Sequence, residues 1–157
     1  MKVNDYMTKE VVTVRRGTPL REIIRTFKEK NFHTLPVIES DNRLVGLIDF
    51  SDILKVFEPY GSEVHQILKT IPFIDAPQEQ NLLETDISAE MGILVVADDI
   101  MSSKLVTISP DEEINRAYSE MKVHDTERLF VTEDGKLIGI ICLFDIILSL
   151  FKESGVI

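Results

Sequence analysis

Two pairs of side chains offer the clearest chemistry. Asp49 and Asp52 stand three residues apart where an apolar run turns helical, and Cys142 and Asp145 repeat that spacing later in the chain. Residues three apart at a helix start are its N-cap and third position, so both side chains face the same unpaired N–H groups, a natural anion site. The helix itself can use them: Asp49 is a good N-cap, and Asp52 or Asp145 at the third position favours the helix dipole without any ligand. Asp49 beside Asp52 puts two negative charges where a phosphate would sit, each contact costing about 1–4 kcal/mol at roughly 4 Å, depending on screening. The Asp49 site is therefore expected to disfavour a bare phosphate, and the neutral Cys142 site to accept one. Alternatively, Asp49 and Asp52 together hold Mg²⁺ that bridges to phosphates through water.

Catalysis fits these residues poorly. Cys142 sits amid Ile140, Ile141 and Leu143, where a thiol serves as a small core or cap residue with a raised pKa. His33, His65 and His124 share no metal-ligand spacing, and the seven glycines are scattered rather than gathered into a phosphate loop. The expectation is a protein that is not an enzyme and requires no cofactor or metal.

The elements that must position these residues occur twice. Val11-Val12-Thr13-Val14 matches Leu105-Val106-Thr107-Ile108 at an offset of 94 residues. Leu20, Ile23, Ile24 and Phe27 then match Ile114, Ala117, Tyr118 and Met121, each set with the spacing of an amphipathic helix. Thr18-Pro19 and Ser109-Pro110 are expected to open those helices as a hydroxyl cap followed by proline. Beyond the helix the offset falls to 93: Leu35-Pro36-Val37-Ile38 faces Arg128-Leu129-Phe130-Val131, and Leu44 to Ile48 faces Leu137 to Ile141. Asp41-Asn42 and Asp134-Gly135 separate these runs, so each pair reads as a hairpin. Ile53 to Phe57 and Ile146 to Phe151 read as a second helix. Each copy is β-α-β-β-α, and a unit of this size buries too little alone, so the two copies are expected to pack sheet to sheet with pseudo-twofold symmetry.

The expected organisation is repeat 1 over 1–58, an acidic linker over 59–95 and repeat 2 over 96–157. In the linker, Ser62 to Ile71 could form a short helix and Ile93 to Val96 could join a core. No Lys or Arg lies between Lys69 and Lys104, whereas Asp75, Glu79, Glu84, Asp86, Glu90, Asp98 and Asp99 do, which reads as a solvated acidic connector. A formal charge of −10 argues against nucleic-acid or anionic-membrane binding, leaving a small ligand or another protein as partner. With one cysteine there is no internal disulfide; with no long apolar run or signal-peptide core, a cytoplasmic location is expected. Apolar residues on several faces of the second helices, including Phe57, Leu148 and Phe151, predict a homodimer.

The repeated order resembles the cystathionine-β-synthase (CBS) domain, which usually occurs as a tandem pair called a Bateman module. The matching residues are Val3-x-Asp5-x-Met7 with Ala97-x-Asp99-x-Met101, the Val-Thr-Val/Ile segments, His33-x-Leu35-Pro36-Val37, and Gly46 to Asp52-Ile53 with Gly139 to Asp145-Ile146. The resemblance implies a regulatory module with two clefts for adenosine-containing ligands: AMP, ADP, ATP, S-adenosylmethionine or NAD. It implies that Asp52 and Asp145 receive the ribose diol, and that Asp49 and Cys142 stand where the family has a phosphate-holding hydroxyl. Adenine would then lie against the segments around Met7 to Thr13, with Val12, and around Met101 to Thr107, with Val106. His33, Arg15, Arg16, Lys104, Lys122, His124 and Arg128 are the phosphate partners within reach of the pattern. Loss of both hydroxyls supports an alternative: a pair with degenerate clefts that acts only as a dimerisation or docking element for an unknown regulated protein.

Overall fold

Alternating and 3.6-residue apolar patterns become two three-stranded sheets flanked by helices. The structure, a computed structural model, describes residues 1–30, 33–57, 70–73 and 88–157. After a short helix α1 (Val3–Tyr6), strand β1 (Val14–Arg15) leads through α2 (Leu20–Lys30) to β2 (Thr34–Ile38), its parallel neighbour. β2 pairs antiparallel with β3 (Leu44–Asp49), which runs directly into α3 (Phe50–Leu54). Among the described residues that follow are two short helices, α4 (Met91–Leu94) and α5 (Ala97–Ile100). The second copy repeats the plan with β4 (Thr107–Ile108), α6 (Ile114–Val123), β5 (Arg128–Glu133), β6 (Lys136–Cys142) and α7 (Leu143–Glu153). Its sheet has the same order and senses. Asn42 (φ 66°), Asp134 (φ 52°) and Gly135 (φ 79°) take the left-handed conformations that tight hairpin turns demand, from residues suited to them.

The cores show an exchange. Val14, Ile23, Phe27, Leu35, Val37 and Ile48 of the first copy pack with Ala97, the first residue of α5. Ile108, Ile114, Ala117, Met121, Leu129, Val131, Ile141 and Ile146 of the second pack with Val3, the first residue of α1. The backbone bonds are reciprocal: Val3 N–H donates to the Glu112 carbonyl at 2.9 Å, and Ala97 N–H to that of Thr18 at 2.9 Å. Thr8 exchanges two backbone hydrogen bonds with Ile140, and Ser102 does the same with Leu47. Each leading segment thus completes the other copy's sheet and core. Between the sheets, Ile38, Phe130 and Leu137 form a third apolar cluster, flanked by Val11, Leu44, Leu47, Leu105 and Ile140.

This exchange explains two glycines and two methionines. A Cβ on Gly46 would lie 2.5 Å from Met101 Sδ, and one on Gly139 would lie 2.7 Å from Met7 Sδ and 2.9 Å from the Thr8 carbonyl oxygen. Each methionine crosses the other copy's third strand at the one position with no side chain.

Several local expectations are corrected. The Thr18 hydroxyl does not cap α2; it accepts the Arg15 N–H at 3.0 Å and closes the preceding turn. Ser109-Pro110 lies a turn ahead of α6, whose N-cap is Glu113, because Glu112-Glu113 occupies the place that Thr18-Pro19 holds in the first copy. The helix read over Ile53 to Phe57 begins at Phe50, ends at Leu54 and tightens into a 3₁₀ turn over Lys55–Phe57. Ile93 and Leu94 join no core, being 54% and 75% exposed; α4 instead caps α2, the Val95 carbonyl accepting the Leu20 N–H. Apart from its last two residues, the helix expected over Ser62 to Ile71 lies outside the described residues, as do Asp75, Glu79, Glu84 and Asp86.

Candidate functional site

An aspartate at the third helical position recurs at four helix starts. Asp5, Asp52, Asp99 and Asp145 each accept the N–H of the residue three before them: Lys2 at 3.1 Å, Asp49 at 2.9 Å, Val96 at 2.9 Å and Cys142 at 2.7 Å. The carboxylate replaces the missing partner of an end-of-helix N–H and complements the dipole. At α3 the bond is reciprocal, since Asp49 Oδ1 accepts the Asp52 N–H at 3.1 Å. The same Asp49 oxygen accepts the Ser51 hydroxyl at 2.6 Å. Burial raises the Asp49 pKa, but these hydrogen bonds outweigh it and hold the carboxyl below the usual range.

Asp52 is 4% exposed, and its second oxygen, Oδ1, takes an ion pair from Lys55 Nζ at 3.2 Å. Asp145 is less buried, and its Oδ2 accepts the Cys142 N–H. Burial pushes the Cys142 thiol up, and the neighbouring Asp145 carboxylate adds to the shift, so the sulfur stays protonated at neutral pH.

The starts of α3 and α7 each open on a cleft built by both copies. At α7, Cys142 and Asp145 face Thr8, Glu10, Val11 and Val12 of the first copy's leading segment, with Ile140 behind. This cavity is narrow, about 170 Å³. At α3, Asp49, Asp52 and Lys55 face Ser102, Lys104 and Val106 of the second copy's leading segment and the loop His124 to Glu127. This cavity is wide, about 860 Å³. His33, Thr34, Arg128 and Phe130 line both. Which segment meets which aspartate follows from the exchange: Met7 and Met101 anchor each leading segment on the opposite sheet.

The structure therefore gathers Asp49, Asp52, Val106, His33 and Arg128 at one cleft, and Asp145, Cys142, Val12, His33 and Arg128 at the other. Met7, Thr13, Met101 and Thr107 line neither. The methionines are committed to Gly139 and Gly46, and Thr107 begins the short parallel strand against Phe130. Of the cations considered, Lys104, His124, His33 and Arg128 reach a cleft. Arg15 lines neither, Lys122 sits 5.5 Å above the Tyr118 ring, and Arg16 is held by Asp98 at 2.6 Å and Glu39 at 3.1 Å. Lys55 was not anticipated, although its place three residues after Asp52 on one helix was a readable signal. Among the described residues, no group of three or more His, Cys, Asp or Glu side chains could hold a metal ion, and no helix is long and apolar enough to cross a membrane.

Comparison with known proteins agrees with this architecture. The CBS domain model matches residues 3–59 and again 96–152. The uncharacterized protein MJ1426 of Methanocaldococcus jannaschii is 30% identical over 154 residues, covering 96% of this chain and 91% of that protein. Seven further curated relatives are longer, and the chain spans 15% to 46% of them. Among solved structures, CBSX2 in complex with AMP superimposes with a TM-score of 0.69 at 22% identity, over 98% of both chains. The CBS domain pair of protein MJ0100, in complex with 5′-methylthioadenosine and S-adenosyl-L-methionine, does so with a TM-score of 0.64 at 19% identity, over 98% of both chains.

Proposed function

We propose, on the premise that this chain belongs to the CBS domain family as a tandem pair, that it is a regulatory module rather than an enzyme. In this reading it binds an adenosine-containing ligand in its clefts and passes the resulting change of shape to a partner protein. The observation that carries the reading is the doubled site: two clefts, each with an aspartate at the third position of a helix start and each closed by the opposite copy's leading segment. The AMP bound to CBSX2 and the two adenosyl compounds bound to the MJ0100 pair supply the ligand class.

The distribution of charge revises which cleft should hold phosphate. Sequence spacing favoured Asp145, because Asp49 adds a carboxylate beside Asp52. Asp49, however, is turned onto the Asp52 N–H and the Ser51 hydroxyl, while Lys104 and His124 line the wide cleft in addition to Arg128. Only the wide cleft falls within the roughly 300–1,000 Å³ usual for small-molecule sites. We take the Asp52 cleft as the primary nucleotide site and the narrow, more apolar Asp145 cleft as the place for a ligand with less charge.

A thermal-shift series with adenosine, AMP, ATP, S-adenosylmethionine and NAD tests the reading. A ligand at 100 times its Kd adds about 2.7 kcal/mol to stability, enough for a shift of several degrees. No shift with any of the five would favour the docking-element reading, whose support is the apolar face of α7, where Phe144 and Leu150 are 62% and 55% exposed.

A further inference from the structure

Resting on the adenosine-ligand reading, we propose that Arg128 is one phosphate ligand shared by two clefts, so that phosphate-bearing ligands in the two clefts antagonise each other while uncharged ones do not. Arg128 begins β5, is exposed, and lies in the wall common to both cavities. Among the described residues its guanidinium makes a single hydrogen bond, from Nη1 to the Thr34 hydroxyl at 3.4 Å, and pairs with no carboxylate. A long bond to a neutral acceptor is easily exchanged for a phosphate, which a guanidinium binds through two parallel donors.

The surrounding charges make the sharing consequential. Among the described lining residues of the Asp145 cleft the acidic groups are Glu10 and Asp145, Arg128 is the one Lys or Arg, and His33 is the remaining base. In the Asp52 cleft Asp49, Asp52, Asp125 and Glu127 face Lys55, Lys104, His33, His124 and Arg128, with Lys55 already paired to Asp52 and His124 3.4 Å from Glu120. The repeat supplies no second guanidinium, because the residue equivalent to Arg128 in the first copy is Thr34, which faces Asp49 across the hairpin as Arg128 faces Cys142. A phosphate in the Asp52 cleft that draws Arg128 toward it strips the Asp145 cleft of its fixed positive charge. Two phosphates within reach of the same side chain also repel each other. Both effects have one sign.

Amide NMR separates the clefts, since Glu10 and Val12 line one and Lys104 and Val106 the other. AMP and adenosine are titrated into the wild type, Asp52→Asn, Arg128→Gln and the double variant. Emptying the wide cleft by Asp52→Asn should tighten AMP at the Glu10 and Val12 signals roughly fivefold, leave adenosine there unchanged, and do neither in the Arg128→Gln background. Lys104→Glu, at an exposed position, serves in place of Asp52→Asn should that variant fold poorly. Unchanged AMP affinity, or equal tightening of adenosine, overturns the proposal while leaving nucleotide binding intact. Silence of both sets of signals toward both ligands removes the adenosine reading and this proposal with it.

Discussion

Asp49 concentrates the tension between holding a helix and holding a ligand. Its carboxyl pKa is depressed in the folded protein, so the stability it contributes is present above the ordinary value of 3.8 and is lost as pH falls through the lowered folded value. Asp49→Asn should therefore flatten the acid limb of the melting curve below about pH 4 and change the melting temperature little at pH 7, as thermal melts across pH will report. Asp49→Thr keeps a capping oxygen and removes one charge. AMP affinity of the wide cleft should rise several-fold, consistent with about 1 kcal/mol for one screened repulsive contact, by calorimetry without metal. The same variant binding ATP more weakly only when Mg²⁺ is present would instead assign Asp49 to a bridging cation. Cys142 sits at the matching place with its thiol pKa raised, so iodoacetamide at pH 7 should label it more slowly than it labels free cysteine, followed by mass spectrometry.

At the scale of elements, the crossing of strand by methionine separates two glycines that look equivalent in the repeat. The atoms nearest a Cβ on Gly46 belong to the flexible Met101 side chain, whereas Gly139 also faces the Thr8 backbone carbonyl. Gly139→Ala should therefore be the costlier change, about 1–3 kcal/mol by urea unfolding against less for Gly46→Ala, and Met101→Ala should relieve the latter. The hairpins and long helices were legible because their apolar periods are local: Leu35 to Ile38 and Leu20 to Phe27 declare themselves within one turn or strand. The partnership of Met7 with Gly139 was not, because it joins residues more than a hundred positions apart and leaves no period. For that reason Met7 and Met101 were read only as adenine contacts, although each also packs against a glycine of the opposite copy. Arg128 was legible as a phosphate partner; its place at a strand start between two clefts depends on how the sheets meet.

For the whole molecule, α3 and α7 leave apolar side chains in water: Phe50, Leu54, Phe144, Ile147, Leu150 and Phe151 are all exposed. Such a surface suits a second copy of the chain, and we propose a homodimer through these helices. Sedimentation should give a dimer at tens of micromolar, and Leu150→Glu with Phe151→Glu should give a folded monomer; a wild-type monomer would remove the idea. The exchanged leading segments make a different demand. Val3→Ala should cost about 2 kcal/mol, and hydrogen exchange should quicken in β4 to β6, the far sheet, more than in β1 to β3. The exchange also bears on ancestry. Two arms, each seated in the other's core about a pseudo-twofold axis, form the arrangement that a lone half-length ancestor would reach by pairing with its twin, so duplication needed only to tether a contact already made. A fragment ending near Phe57 should thus be found as an arm-swapped pair, never as a solitary folded unit.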